Sequence, residues 1–217
     1  LASQYITTSD TTYRDKTVIQ GTVTMDSLNG DAGLIGFMIY KNGVSIKSGS
    51  PVLKRLHIRE NQSIPALQII ENSNLTINDI EIKQNSQNTS NGGGIQITNS
   101  RLVLNNAVID SNIIENAGGG IWSKYSNITI NNSQINDNLG YYGGGIYSLQ
   151  DTSFVMNNVT IARDSSRNSG GGIYFLEMQK PARLTNVTLD ANSSNNFGSG
   201  IFSDRSSMII DKSFILN

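Results

Sequence analysis

Cysteine is absent from the 217 residues, which removes disulfides, thiolate metal sites and cysteine nucleophiles together. Charge is scarce. Asp, Glu, Lys and Arg make up 15% of the chain, against roughly a quarter in an average domain. The net charge is −1, and a general nucleic-acid binder needs a basic face, so this balance argues against that class. His57 is the only histidine, so no histidine cluster forms. No run approaches the ~18 consecutive apolar residues of a membrane helix. No apolar period of 3.6 persists over a useful length, and no charged-then-apolar leader opens the chain at Leu1. A core is not lacking: 37% of the residues are hydrophobic, which excludes a disordered chain. The length suits one domain or at most two.

Small polar residues take the place of charge. There are 27 Asn and 27 Ser, types that favour turns and side-chain ladders over helices. They fall in a repeat. Gly-Gly-Gly-Ile occurs at Gly92–Ile95, Gly118–Ile121, Gly143–Ile146 and Gly170–Ile173, and Gly198-Ser199-Gly200-Ile201 is a fifth copy. The Ile residues are 26, 25, 27 and 28 apart. A second signature, Ile/Leu-x-x-Asn, joins Ile39/Asn42, Ile58/Asn61, Ile82/Asn85, Ile109/Asn112, Ile135/Asn138 and Leu189/Asn192, with Ile161/Asp164 in the remaining slot. Two independent signatures share one period.

Within each period the apolar residues alternate, as in Leu102, Leu104, Ala107 and Ile109 or Phe154, Met156, Val159 and Ile161. Period two means strands with one buried face. Asn pairs such as Asn105-Asn106 and Asn131-Asn132 part the two halves, and Asn tolerates the left-handed backbone of a sharp corner. Three short strands per ~26 residues, with no helix, predict an all-β, parallel β-helix of about seven coils. A sandwich is the alternative, and a propeller needs ~40–50 residues per repeat. Asn61, Asn85, Asn112, Asn138, Asp164 and Asn192 then stack into a structural ladder, because an amide both donates and accepts. Residues 1–16 form an irregular segment or partial cap, and 17–217 the solenoid. The pattern stops mid-coil at Asn217, so the solenoid is expected to continue, or a neighbour to cover its end.

Gly-Gly-[Ala/Gly]-Ile together with Phe-x-x-Asn resembles the repeats of the polymorphic outer membrane proteins. The first motif matches at four places. The second is present as Ile/Leu-x-x-Asn, with one literal Phe214-x-x-Asn217 out of register by one. The resemblance covers about Ile39–Asn217. It implies a right-handed β-helix, a hand that strand twist also favours. It further implies an extracellular or cell-surface stalk or adhesin rather than an enzyme.

Catalytic constellations are missing from the outward columns. Arg59, Lys83, Asp110, Asn136, Ala162, Asp190 and the adjacent Glu60, Gln84, Ser111, Asp137, Arg163, Ala191 bring no three carboxylates onto neighbouring coils. The Asp-Ser pairs near Ser166 have no base, since His57 lies four coils away. No metal or cofactor is implied. The column Thr76, Val103, Thr129, Val155, Arg183, Ile209 is flat, but too irregular for an ice-binding face.

The sharper feature is aromatic. The residue after each Gly-corner Ile reads Gln96, Trp122, Tyr147, Tyr174, Phe202. If Ile points in, these point out and form an exposed stripe, with Tyr141, Tyr142 and Phe197 beside it. Such a patch suits a protein partner or the remainder of a longer chain, a polysaccharide, or local packing alone. Eight Asn-x-Ser/Thr sequons occur. Asn74, Asn88, Asn127, Asn131, Asn158 and Asn186 are candidate glycosylation acceptors in a eukaryotic secretory protein, whereas Asn61 and Asn192 belong to the buried ladder. The expected function is a non-enzymatic extracellular stalk or adhesin. The alternatives are a polysaccharide-binding or pectate-lyase-like protein and a subunit of an extracellular filament.

Overall fold

The computed structural model describes residues 18–28, 30, 32–62, 65–88 and 90–216. The expected irregular segment 1–16, Thr17 and the closing Asn217 lie outside the described residues. Among the described residues, strands form three sheets of twelve, eight and five strands, and successive coils pair in parallel.

The eight-stranded sheet counts the coils. Its strands begin at Val23, Val44, Leu67, Ile95, Ile121, Ile146, Ile173 and Ile201, each paired with the next. The six from Leu67 onward keep the ~26-residue period, and the first two are spaced more closely. About six coils keep the regular period, which roughly matches the expected seven.

The twelve-stranded sheet carries the Ile/Leu signature in register. Ile39, Ile58, Ile82, Ile109, Ile135, Ile161 and Leu189 are partners in one continuous row. All are fully buried or nearly so. Across the interior, Phe154 and Phe175 meet edge to face with centroids 5.3 Å apart. This is a single core running the length of the coils.

The expected pair of short strands is, in most coils, one strand bent in the middle. Asn127–Asn136 and Ser153–Ala162 each span ten residues. Asn132 and Asn158, at φ 49° and 55°, turn the chain without ending the pairing. This corner interrupts the strand between Gly33–Ile35 and Met38–Tyr40, between Arg101–Asn105 and Val108–Asp110, and between Met208–Asp211 and Phe214–Ile215. The third sheet consists of two-residue strands such as Ser86–Gln87 and Ile113–Ile114. Two residues are too short to show a period, so these strands are not visible in the alternation.

The two sequence signatures meet in space. The first glycine of each triplet has positive φ, 73° at Gly92 and 74° at Gly118, where a side chain is strained. The third packs on the asparagine ladder. A Cβ on Gly120 would lie 2.7 Å from Gly145 O, 3.2 Å from Asn138 Nδ2 and 3.2 Å from Ile135 Cγ2.

Candidate binding surface

The ladder forms as expected. Asn61 N donates to Asn85 Oδ1 at 3.0 Å, Asn85 N to Asn112 Oδ1 at 3.2 Å, and Asn112 N to Asn138 Oδ1 at 3.0 Å. Asn138 N then donates to Asp164 Oδ1 at 2.7 Å, and Asp164 N to Asn192 Oδ1 at 2.9 Å. All six side chains are buried. Their part is to close a corner whose backbone N–H groups would otherwise lack partners.

The aromatic stripe also forms in register. Gln96 pairs with Trp122, Trp122 with Tyr147, Tyr147 with Tyr174 and Tyr174 with Phe202. Tyr147 and Tyr174 stack with centroids 5.1 Å apart, and Tyr174 and Phe202 lie 4.9 Å apart. Their exposure departs from the sequence expectation. Trp122 and Tyr147 are only 8% and 9% exposed. They form a satellite cluster with Ala117, and Tyr142, Leu149, Tyr174 and Leu176 pack against it. The reason is the corner loop: Tyr142 folds over the column, its ring 6.4 Å from Tyr147 and 5.4 Å from Tyr174. Burial pushes the Tyr147 hydroxyl pKa up to about 12. The exposed apolar surface is therefore displaced to the flank, at Tyr141 (42%) and Phe197 (66%), with Phe202 half-buried beside Phe197 at 6.1 Å.

Toward the N-terminal coils the same outward column changes chemistry. Ser45 Oγ donates to Gln68 Oε1 at 3.0 Å, and Gln68 Nε2 to Gln96 Oε1 at 2.8 Å. A polar ladder thus precedes the aromatic one.

A second corner holds a feature that sequence reasoning missed. Ser73 N donates to Ser100 Oγ at 3.2 Å, Ser100 N to Ser126 Oγ at 3.3 Å, and Ser126 N to Asp151 Oδ1 at 2.7 Å. Asp151 Oδ2 also accepts from Ser148 Oγ at 2.6 Å and from Ser123 Oγ. Burial pushes the Asp151 carboxyl up to about 6, against the pull of these donors. The signal was present in the sequence, as Ser73, Ser100 and Ser126 recur at the coil period.

Outside this corner runs an open polar groove of about 430 Å³, lined by Asn72, Asn74, Asn99, Arg101, Tyr125 and Asn127, among others. Arg101 Nη1 donates to Asn74 Oδ1 at 3.1 Å. The Lys124 ammonium lies 4.7 Å from the centre of the exposed Tyr125 ring.

The sequons divide by position. Asn131 Nδ2 donates to Asn105, Asn158 Nδ2 to Asn132 and Asn186 Nδ2 to Asn158, so a glycan on any of them competes with a ladder bond. Asn74 and Asn127 border the groove, and Asn88 is exposed. His57 faces outward as expected, but its side chain is only 12% exposed and Nδ1 lies 3.2 Å from Glu81 Oε2. Among the described residues, no three His, Asp or Glu side chains come together in a group that could hold a metal ion.

The sequence model of the family described as a right-handed β-helix region matches residues 67–217. The chain belongs to this right-handed β-helix family. The match covers the six coils with the regular period and supplies the hand. A search of curated proteins finds no match.

Proposed function

We propose that this β-helix is a non-enzymatic shaft segment of an extracellular surface protein, with an adhesive contact at the uncovered flank of its aromatic column. The observation that carries the reading is the pairing of a rigid support with exposed rings. Tyr141 and Phe197 stand out from a column whose inner members are immobilised by stacking. Rings fixed in this way lose little entropy on contact. The likeness of the Gly-Gly-Gly-Ile and Ile/Leu-x-x-Asn repeats to those of polymorphic outer membrane proteins supports the same reading.

The test replaces both rings, Tyr141→Ala with Phe197→Ala, and measures adherence to immobilised cells and to a panel of extracellular polysaccharides. Loss of adherence by tenfold or more at unchanged thermal stability is expected. Adherence that survives the double substitution overturns the reading, as does release of new saccharide ends from any polymer.

One observation favours a second reading, a polysaccharide-binding β-helix. The polar groove sets the amides of Asn72, Asn74, Asn99 and Asn127 beside the Tyr125 ring and the Arg101 guanidinium. Amides pair with sugar hydroxyls and an aromatic face stacks on a sugar ring. Tyr125→Ala separates the two readings, because it weakens saccharide binding here and leaves contacts of the aromatic flank untouched.

A further inference from the structure

One rung of the buried ladder is out of step with the others. In a regular rung the amide nitrogen donates both to the next rung's oxygen and to a carbonyl of the preceding coil, and that of Asn85 also donates to Lys83 O at 3.1 Å. Asn85 Nδ2 donates to Asn112 Oδ1 at 2.8 Å and to Ile58 O at 3.3 Å. Asn112 Nδ2 donates to Asn138 Oδ1 at 2.9 Å and to Ile82 O at 3.1 Å. Asn138 Nδ2 follows, to Asp164 Oδ1 at 2.9 Å and Ile109 O at 3.1 Å.

Asp164 fills the next slot without a nitrogen. Its Oδ1 accepts from Asn138 N and Nδ2, as a ladder oxygen should. Its Oδ2 takes the place of the amide nitrogen, is buried, and has no partner among the described residues. By the register of the ladder, that place faces two acceptors, Asn192 Oδ1 and Ile135 O. Gly145 packs on the same atom, and a Cβ there would come within 2.7 Å of Oδ2, so no donor side chain reaches it from that direction. An ionised oxygen turned toward two other oxygens in a buried site is strongly unfavourable. A hydroxyl in the same place supplies the missing donor.

We propose that Asp164 is held as a neutral carboxylic acid whose Oδ2–H takes the amide's role in the ladder, making this rung a proton-dependent joint between neighbouring coils. While the proton stays, the ladder runs unbroken from Asn138 to Asn192. When it leaves for solvent, the rung loses its donor and buries a charge.

The surrounding charges do not replace the proton. On its own coil, Arg163 is engaged with Asp137 of the preceding coil, Nη2 to Oδ2 at 2.6 Å and Nε to Oδ1 at 2.9 Å. Asp110 lies near that pair, and on the following coil Asp190 is next to Ala162 in the sheet. Gly145 packs on Asp164 without charge, and Ile135, Ile161 and Leu189 of the adjoining row are buried. Burial pushes the Asp164 carboxyl well above the usual carboxylate range, Asp137 adds to this, and the Asn138 donors and Arg163 oppose it. Asp151 marks the contrast. It precedes the strand Ser153–Ala162, which Asp164 follows, and it has donors on both of its oxygens, which oppose the upward push of burial.

The experiment compares the wild type with Asp164→Asn, which restores the amide. Thermal midpoints are measured from pH 3 to pH 9, and infrared spectra follow the carbonyl stretch of a protonated carboxylic acid. Below the ordinary carboxyl pKa of 3.8 the two proteins should have similar midpoints. As pH rises, the unfolded chain ionises Asp164 while the folded chain resists, so the wild type should fall progressively below the variant. The acid carbonyl band should persist in the wild type at pH 8, where Asp151 has ionised, and be missing from Asp164→Asn. A variant less stable than wild type at pH 8 overturns the proposal. So does a wild type with no acid carbonyl band at pH 8, a result that needs no variant.

Discussion

At the scale of the residue, this protein spends its polar side chains on its own backbone. Each ladder asparagine gives one acceptor to the backbone N–H of the preceding coil, and each corner serine gives a hydroxyl oxygen. Leaving such groups unpaired costs ~1–3 kcal/mol each. Asp151 couples this arrangement to pH. Its folded pKa, about 6, stands above the ordinary carboxyl value of 3.8, so the folded state holds the proton more tightly than the unfolded state. Its contribution to stability is therefore full below about pH 4 and is lost as pH rises through about 6. A shift of this size corresponds to roughly 3 kcal/mol. We expect the dependence of urea midpoint on pH between 4 and 7 to be flatter in Asp151→Asn than in the wild type. Equal slopes in the two proteins would count against it.

At the scale of the element, glycine decides how closely coils approach. The third glycine of each triplet lies between the next coil's carbonyl and the ladder side chain, so no Cβ fits there. Gly120→Ala would set its methyl 2.7 Å from Gly145 O and 3.2 Å from Asn138 Nδ2. Both the sheet and the ladder would have to yield, and we expect a loss of about 2 kcal/mol or more. Gly21→Ala is the control, since nothing lies within 4 Å of its added carbon. Chemical denaturation of the two variants checks the difference. The asparagine bends work in the opposite sense: a left-handed residue turns the strand while its neighbours stay paired.

At the scale of the whole molecule, each strand pairs only with strands of the coils beside it, so stability is largely a chain of nearest-neighbour terms, and the ion pair of Arg167 with Glu115, which skips one coil, is exposed. Ile135 is fully buried in the central row, between Ile109 and Ile161. Ile135→Ala should cost ~2–5 kcal/mol by opening a cavity. Hydrogen exchange should quicken in the strands Asn127–Asn136, Val108–Asp110 and Ser153–Ala162 and change little at Val23–Asp26. Uniform acceleration along the chain would mean that the coils unfold as one unit.

The repeat, the strands and the ladder were legible in the sequence because each depends on local periodicity. Ile109 and Asn112 sit three residues apart on one chain, and their stacking partners are copies at the same offset. Chain alternation also sets which face of each strand points inward, and Trp122 and Tyr147 lie in a cluster apart from the main core, with Tyr174 packed against it. Their exposure was decided only by the tertiary structure. Tyr142 belongs to a corner loop with no period, and where its ring lands depends on the path of that loop over the sheet. The fate of Asp164 was decided in the same way. In sequence it is a near-isostere of asparagine, but in the fold its second oxygen is buried without a partner among the described residues, with Gly145 packed on it. Periodicity sets which residues stack, whereas exposure and protonation depend on what closes over them from elsewhere in the chain.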